Sequence, residues 1–483
     1  MLFNSYEFIF IFLPVIFIGY FYLTSKRLII GSKAWLVGGS FFFYSYWNPI
    51  YLPLILLSIF VNYAIGGSFN KNTKINKKTI LIIGILFNVG LLAYFKYTDF
   101  FLENWNGIFG SNIPLPHIAL PLAISFFTFQ QIAYLVDSYK GETKEYDLLN
   151  YMLFVTFFPQ LIAGPIVHHK EMMPQFSSKW NLVKNYKNIA LGLFVFSIGL
   201  FKKVVIADTF AFWATNGFDN AVLLTFFEAW ATSLSYTFQL YFDFSGYTDM
   251  AIGAALLFNI KLPMNFNSPY KALDIQDFWR RWHMTLSRFL RDYVYIPLGG
   301  NRVSKYRNYI NLFTVFLIGG LWHGAGWTFV IWGALHGIAI VVHRIWQELN
   351  LKMNKVLAWI ITFNFVNIAW VFFRAKDMES AEKVLSGMFG ADGVMVHLYL
   401  ETSLGFLKVY NVQFGMMQYF TESIKWSSIV GLVFFSLLIS DRFSKRITIS
   451  YDMNKFNFLL TYFLLLFSIF NISINSDFLY FDF

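Results

Sequence analysis

The chain offers eight histidines and no cysteine for chemistry. Without a thiol there is no thiolate nucleophile, no Cys-ligated zinc and no iron–sulfur site. His323 stands out, because it closes an apolar stretch in Gly319-Gly-Leu-Trp-His-Gly324. An ionisable group at membrane depth is costly and marks a functional candidate, and glycine lets a ligand approach the backbone. A hydrogen-bonded packing histidine is the competing reading. His336, between Gly333 and Gly337, is open to both. His343, beside Arg344, reads as an end-of-helix cation, and His168-His169 as a loop pair with no metal. Two carboxylates, Asp243 and Asp249, flank Ser245 in apolar surroundings. They form an ion pathway or pair with a cluster of arginines. No Walker loop, Gly-x-Ser-x-Gly elbow or dinucleotide fingerprint appears.

The arginine cluster lies in 261–310, which holds nine bases and three acids. Asp274 suits a helix N-cap, with Asp277 as the capping-box acid, and a helix over 275–292 is expected to follow. Ile275, Phe278, Trp282, Leu286 and Phe289 would share one face and Asp277, Arg281, Arg288 and Asp292 the other. Asp277–Arg281 and Arg288–Asp292 would be i,i+4 pairs. One reading is an interfacial anchor. The other is a basic mouth for an anion, such as the phosphates of coenzyme A or of a carrier's phosphopantetheine, which arginine holds through two parallel hydrogen bonds. His283 sits between the two faces, where a lone histidine is usually structural. Pro297-Leu-Gly-Gly-Asn301 ends the helical region.

These residues need a membrane frame. Of 483 residues, 57% are hydrophobic, 21% aromatic and 13% charged; soluble domains average about 25% charged. Disorder and a disulfide-stapled scaffold are excluded. The net charge of +10 fits loops that orient a membrane protein, so no nucleic-acid partner is expected. Apolar segments lie near 7–24, 34–46, 50–66, 79–97, 115–137, 148–164, 187–206, 222–242, 247–262, 309–322, 326–346, 355–373, 424–440 and 456–475. With about 20 residues needed per crossing, roughly twelve are spans and the rest re-entrant or interfacial. The first lacks the features of a cleaved signal and reads as a retained helix. Basic loops after 24, after 66 and before 456 place those ends in the cytoplasm. The acidic segment 98–114, the stretch 374–423 and both termini then fall outside.

The ordered motifs Asp243-Phe-Ser-Gly-Tyr-Thr-Asp249, Asn265-Phe-Asn-Ser-Pro-Tyr270, Asp277-Phe-Trp-Arg-Arg-Trp-His-Met-Thr-Leu-Ser287, Arg291-Asp-Tyr-Val-Tyr-Ile-Pro-Leu-Gly-Gly-Asn-Arg302 and Leu321-Trp-His-Gly-Ala325 closely resemble the bacterial membrane-bound O-acyltransferases. Pro121-Leu-Ala-Ile-Ser-Phe126 and Ala163-Gly-Pro-Ile166 fit as well. The motifs look most like those of the alginate and peptidoglycan O-acetyltransferase branch. The likeness covers about 115–375. It implies an all-α polytopic fold with a cytoplasmic and an outer funnel meeting at a thin partition. The divisions expected are N-terminal helices (1–114), a catalytic core (115–375), an extracytoplasmic insertion (376–425) and C-terminal helices with an aromatic tail (426–483).

The same resemblance implies roles. The family's membrane-embedded histidine falls on His323 and its second motif histidine on His283. Asp477-Phe-Leu-Tyr-Phe-Asp-Phe483 resembles the Phe-x-Tyr-x-x-Phe motif of export-type acyl transfer, which implies an acyl-acceptor role for Tyr480; the residues alone also suit an interfacial aromatic belt. Arg280, Arg281, Arg288 and Arg291, with Trp279 and Trp282, would bind the donor, acetyl-CoA. Asp243, Asp249, Asn265 and Trp322 would support the site. A multi-pass protein of the bacterial cytoplasmic membrane is implied, with an extracytoplasmic SGNH or esterase-like partner and a polysaccharide acceptor. The acceptor expected is peptidoglycan, with alginate or D-alanyl export to teichoic acid as alternatives. The rivals from other classes are a transporter or flippase and a structural scaffold.

Overall fold

The computed structural model describes residues 1–71, 74–143, 147–415, 454–473 and 479. The chain is 74% helical with almost no strand; a two-stranded parallel ribbon pairs Val394–His397 with Val412–Gly415. Helices α1 (Leu13–Ser25), α2 (Ile29–Ser45) and α3 (Leu52–Ser68) lead to α4 (Lys77–Phe109) and α5 (Ile124–Tyr139). Asn76 caps α4 through its side chain, and Gly110, at φ 62°, stops it. The helix therefore runs through the segment expected as an acidic loop from 98. The apolar stretch 148–164 is broken into α6 (Leu148–Thr156) and α7 (Phe158–Leu161), ahead of α8 (His169–Phe176).

The centre of the molecule is α9 (Tyr186–Phe201) against α11 (Phe226–Leu257), with α10 (Asp208–Thr215) between them in the chain. Thr225 and Glu228 form a capping box at the start of α11, which satisfies its first amides. The expected break between 242 and 247 is absent. Gly246 and Gly253 serve close helix packing instead of ending a helix: a Cβ on Gly246 would lie 2.8 Å from the Gly199 carbonyl oxygen, and one on Gly253 2.6 Å from that of Gly192. Small residues facing one another bring helix backbones together in this way in membranes.

The helix expected over 275–292 is interrupted. It forms α12 (Ile275–Trp279) and α13 (Met284–Leu290), followed by a π-helical turn over 291–295. The extended segment around Asn265 inserts alongside the break: Asn267 donates its amide to the Arg281 carbonyl, and Met284 donates to the Asn265 carbonyl, both at 2.9 Å. These bonds replace the intrahelical ones that continuity would need. Gly299 and Gly300 take positive φ and end this region.

Then come α14 (Lys305–His323), α15 (Trp327–Glu348), α16 (Lys355–Arg374), α17 (Met378–Met388) and, late in the chain, the helix Lys455–Phe470. Among the described residues, six helical stretches are long and apolar enough to cross a membrane: Phe8–Ser25, Pro49–Ser68, Lys77–Phe109, Tyr186–Asn220, Trp327–Glu348 and Lys355–Arg374. The chain is a polytopic, all-α membrane protein. The expected segment 424–440 lies outside the described residues.

Candidate active site

His283 sits where α12 and α13 break apart. It is fully buried and holds φ at 41°, a left-handed conformation that few non-glycine residues adopt and that marks strained functional positions. Its Nδ1 is 3.0 Å from Asn265 Oδ1, which also accepts from the Thr285 amide (3.2 Å) and hydroxyl (2.9 Å). A main-chain N–H can only donate, so that atom of Asn265 is the oxygen. The His283 proton therefore resides on Nδ1, and Nε2 is left as an acceptor. Among the described residues, Nε2 has no hydrogen-bond partner.

His323 is the last residue of α14 and is 2% exposed. Its ring packs against Trp332 (5.2 Å) and Phe373 (5.0 Å), and its centre is 6.5 Å from that of His283. The Trp322 ring lies against both histidines, 4.8 Å from His323 and 6.2 Å from His283; its Nε1 donates to the Ser125 carbonyl at 3.3 Å, and the ring also stacks on Phe129. The glycines beside the two residues serve packing rather than ligand approach. A Cβ on Gly320 would lie 2.9 Å from Gly333 Cα of α15, and one on Gly324 would collide with the Phe329 ring. Two imidazoles, one with a fixed tautomer, thus converge in a buried aromatic interior where proton transfer between oriented groups can be controlled.

The model of the membrane-bound O-acyltransferase (MBOAT) family matches residues 47–381. The chain belongs to this family. It is 59% identical over 436 residues to the peptidoglycan O-acetyltransferase of Helicobacter pylori, covering 83% of this chain and 82% of the relative. It is 42% identical over 398 residues to the probable alginate O-acetylase AlgI of Pseudomonas aeruginosa (80% and 75%). The teichoic acid D-alanyltransferase of Bacillus subtilis is 30% identical over 278 residues (53% and 69%). The protein is an acyltransferase.

The arginines of this O-acyltransferase part company. Arg281 keeps its expected bond to Asp277 at 2.9 Å. Arg288 does not pair with Asp292. It forms two parallel bonds, at 2.5 and 3.0 Å, to Glu171 of α8, because the broken helix aims it across rather than along its own axis. Asp292 instead bonds its neighbour Arg291. Arg291 lines a cleft of about 360 Å³ with Gln276, Asn308, Leu312, Ile340, His343 and Arg344, so His343 joins this cleft. Arg280 is exposed. Trp279 donates to His336 Nδ1 at 3.2 Å, which leaves the His336 proton on Nε2. Trp282 is buried against Trp370.

Neither carboxylate of α11 meets the arginines. Asp249 pairs with Lys202 at 2.7 Å, and Asp243 with Lys203 at 2.8 Å; Lys203 also reaches Asp208 at 2.8 Å. Two consecutive lysines inside the stretch 187–206 were the available signal. Removing either partner of a buried pair strands a charge, at a cost of about 3–5 kcal/mol. Tyr480 lies outside the described residues; the amide of its neighbour Leu479 donates to Asp243 Oδ2 at 3.1 Å. Among the described residues, no three His, Asp or Glu side chains gather as a metal ion would require. His168 instead bonds the Tyr293 hydroxyl at 3.0 Å.

Proposed function

We propose that this acyltransferase takes an acetyl group from cytoplasmic acetyl-CoA and passes it across the bacterial inner membrane for O-acetylation of peptidoglycan. The pairing of His283 and His323 in one buried aromatic pocket, their ring centres 6.5 Å apart, carries this reading. The high identity to a peptidoglycan O-acetyltransferase supports that acceptor over alginate or teichoic acid.

In the proposed step the Tyr480 phenol oxygen attacks the thioester carbonyl carbon. A phenol has a pKa near 10 and an imidazole one near 6.5, so the proton must leave as the bond forms. His323 takes it. The new C–O bond replaces the C–S bond, and the CoA thiolate departs to the cytoplasm, where it recovers a proton. His283, with Nε2 as acceptor, orients the phenol or shares its proton. Acetyl-Tyr480 then gives its acetyl to a serine of an extracytoplasmic SGNH or esterase-like partner, and from there to a sugar hydroxyl. Arg280 and Arg291, with Arg344, attract the donor's phosphates; Arg281 and Arg288 hold the fold around them.

The test is mass spectrometry of protein in liposomes fed labelled acetyl-CoA. An acetyl group on the Tyr480 peptide, absent in Tyr480→Phe, is the expected result. Undiminished O-acetylation of the wall by Tyr480→Phe cells would remove Tyr480 from the path and leave it an interfacial aromatic.

A further inference from the structure

The His323 end of α14 is gripped from an unexpected direction. Helix α4 belongs to the N-terminal region, more than two hundred residues away in the chain. Its Lys96 Nζ lies 2.6 Å from the Trp322 carbonyl oxygen, 2.9 Å from that of His323 and 3.5 Å from Ser125 Oγ. The next residue, Tyr97, donates its hydroxyl to the Leu321 carbonyl. Three consecutive carbonyls, ending at His323, are thus held by two adjacent side chains.

The physical need is clear. The last carbonyls of a helix have no intrahelical donor and carry the negative end of its dipole. At a buried helix end, water cannot supply the missing bonds. An ammonium group has three donors and no acceptor, and Lys96 meets three oxygen acceptors. Among the described residues no carboxylate pairs with it, so the carbonyl dipoles face its charge. Trp322 is fixed from the same quarter, by the Ser125 carbonyl.

We propose that Lys96, assisted by Tyr97, is a positioning residue for His323: it sets the pitch and depth of the final turn of α14 and so the direction of the imidazole. This rests on the reading of His323 as the base. Lys96 touches the backbone of the histidine segment, not the reacting atoms. A misplacement of about 1 Å in a reacting group costs on the order of 10²-fold in rate. Losing the clamp should therefore lower turnover and leave donor affinity alone.

The experiment measures alkali-labile O-acetyl formed by membranes fed labelled acetyl-CoA, with the enzyme quantified. Lys96→Met keeps the apolar stem and removes the donors. Its maximal rate should fall by about 10- to 100-fold while KM for acetyl-CoA stays within about threefold. Lys96→Arg, which restores a cation with several donors, should recover most of the rate. A Lys96→Met enzyme at the wild-type rate overturns the clamp. So does one whose KM rises tenfold at unchanged maximal rate, since that would make Lys96 a donor-binding group. Should Lys96→Met fail to insert, Tyr97→Phe decides: a rate drop of severalfold at constant KM supports the clamp, and an unchanged rate overturns it. His323→Ala, run alongside, tests the base separately. A wild-type rate there defeats the base while the Lys96 measurements still report on the clamp.

Discussion

Arg281 and His283 are two residues apart, yet they belong to different kinds of site. Around the arginines the structure neutralises charge with charge: Arg281 with Asp277, Arg288 with Glu171, Arg291 with Asp292. These groups are partly exposed, and such pairs contribute about 0–1 kcal/mol each. Around the histidine rings the partners are buried and uncharged, an amide oxygen and aromatic faces, and the Lys96 charge meets the backbone of the His323 turn rather than its ring. Such contacts add little net stability when complete, but each is directional and expensive to leave half made. The charged region can tolerate adjustment. In the proposed mechanism the neutral one would define where a proton goes.

The comparison breaks most sharply at His323. His323→Ala removes the proposed base. O-acetyl transfer should fall by about 10²- to 10⁴-fold while the protein still inserts at normal yield. Wild-type activity in that variant would reduce His323 to packing. Next comes Asn265→Ala. It frees the His283 tautomer and strands the Thr285 hydroxyl and amide, and a loss of roughly 10-fold or more in transfer rate is expected. A pH-independent wild-type rate in this variant would show that the tautomer is immaterial. The arginine region should respond more mildly. Glu171→Gln and Arg288→Gln should each lower thermal stability by about 1 kcal/mol or less with little change in rate. Arg291→Gln, by contrast, should raise KM for acetyl-CoA a fewfold. A large rate loss in Arg288→Gln with stability intact would move Arg288 into donor binding.

Much of this was legible in the sequence, and the errors have a common cause. The ordered motifs pointed to the family, the polytopic class followed from composition, and His323 was flagged because an ionisable group in an apolar run needs a reason. The same rule marks Lys96 in Phe95-Lys-Tyr97 and Lys202-Lys203 in the run 187–206. A continuous helix over 275–292 would pair Arg288 with Asp292. The break at His283 depends on hydrogen bonds from a segment eighteen residues earlier, which periodicity within 275–292 cannot reveal. Spacing alone does not say that α9 carries glycines opposite Gly246 and Gly253, so two apolar segments, 222–242 and 247–262, stand where one helix runs. Two short motifs upstream have physical partners: Ser125 meets Lys96 and Trp322, and the Ile166 amide donates to Thr285 Oγ1 at 3.0 Å, behind Asn265.

That last contact makes the loop before α8 the hinge of the comparison, and it carries the smallest predicted effect. His168 lies two residues after Ile166 and is buried beside Arg288. The Tyr293 hydroxyl donates to Asp137 at 2.8 Å, so its oxygen accepts from His168 Nδ1. Burial, reinforced by the Arg288 charge, pushes the His168 pKa down to about 4; burial alone does the same for His169. An unfolded histidine titrates near 6.5. The native loop therefore refuses protons that the opened chain accepts. The stability this contributes is complete above about pH 6.5 and is lost progressively as pH falls from there through about 4. Hydrogen exchange of amides 164–176, corrected for intrinsic rates, should show easier opening at pH 5 than at pH 7.5. In His168→Gln/His169→Gln the difference should shrink. An equal pH dependence in that double variant would show that the loop's acid sensitivity does not come from its two histidines.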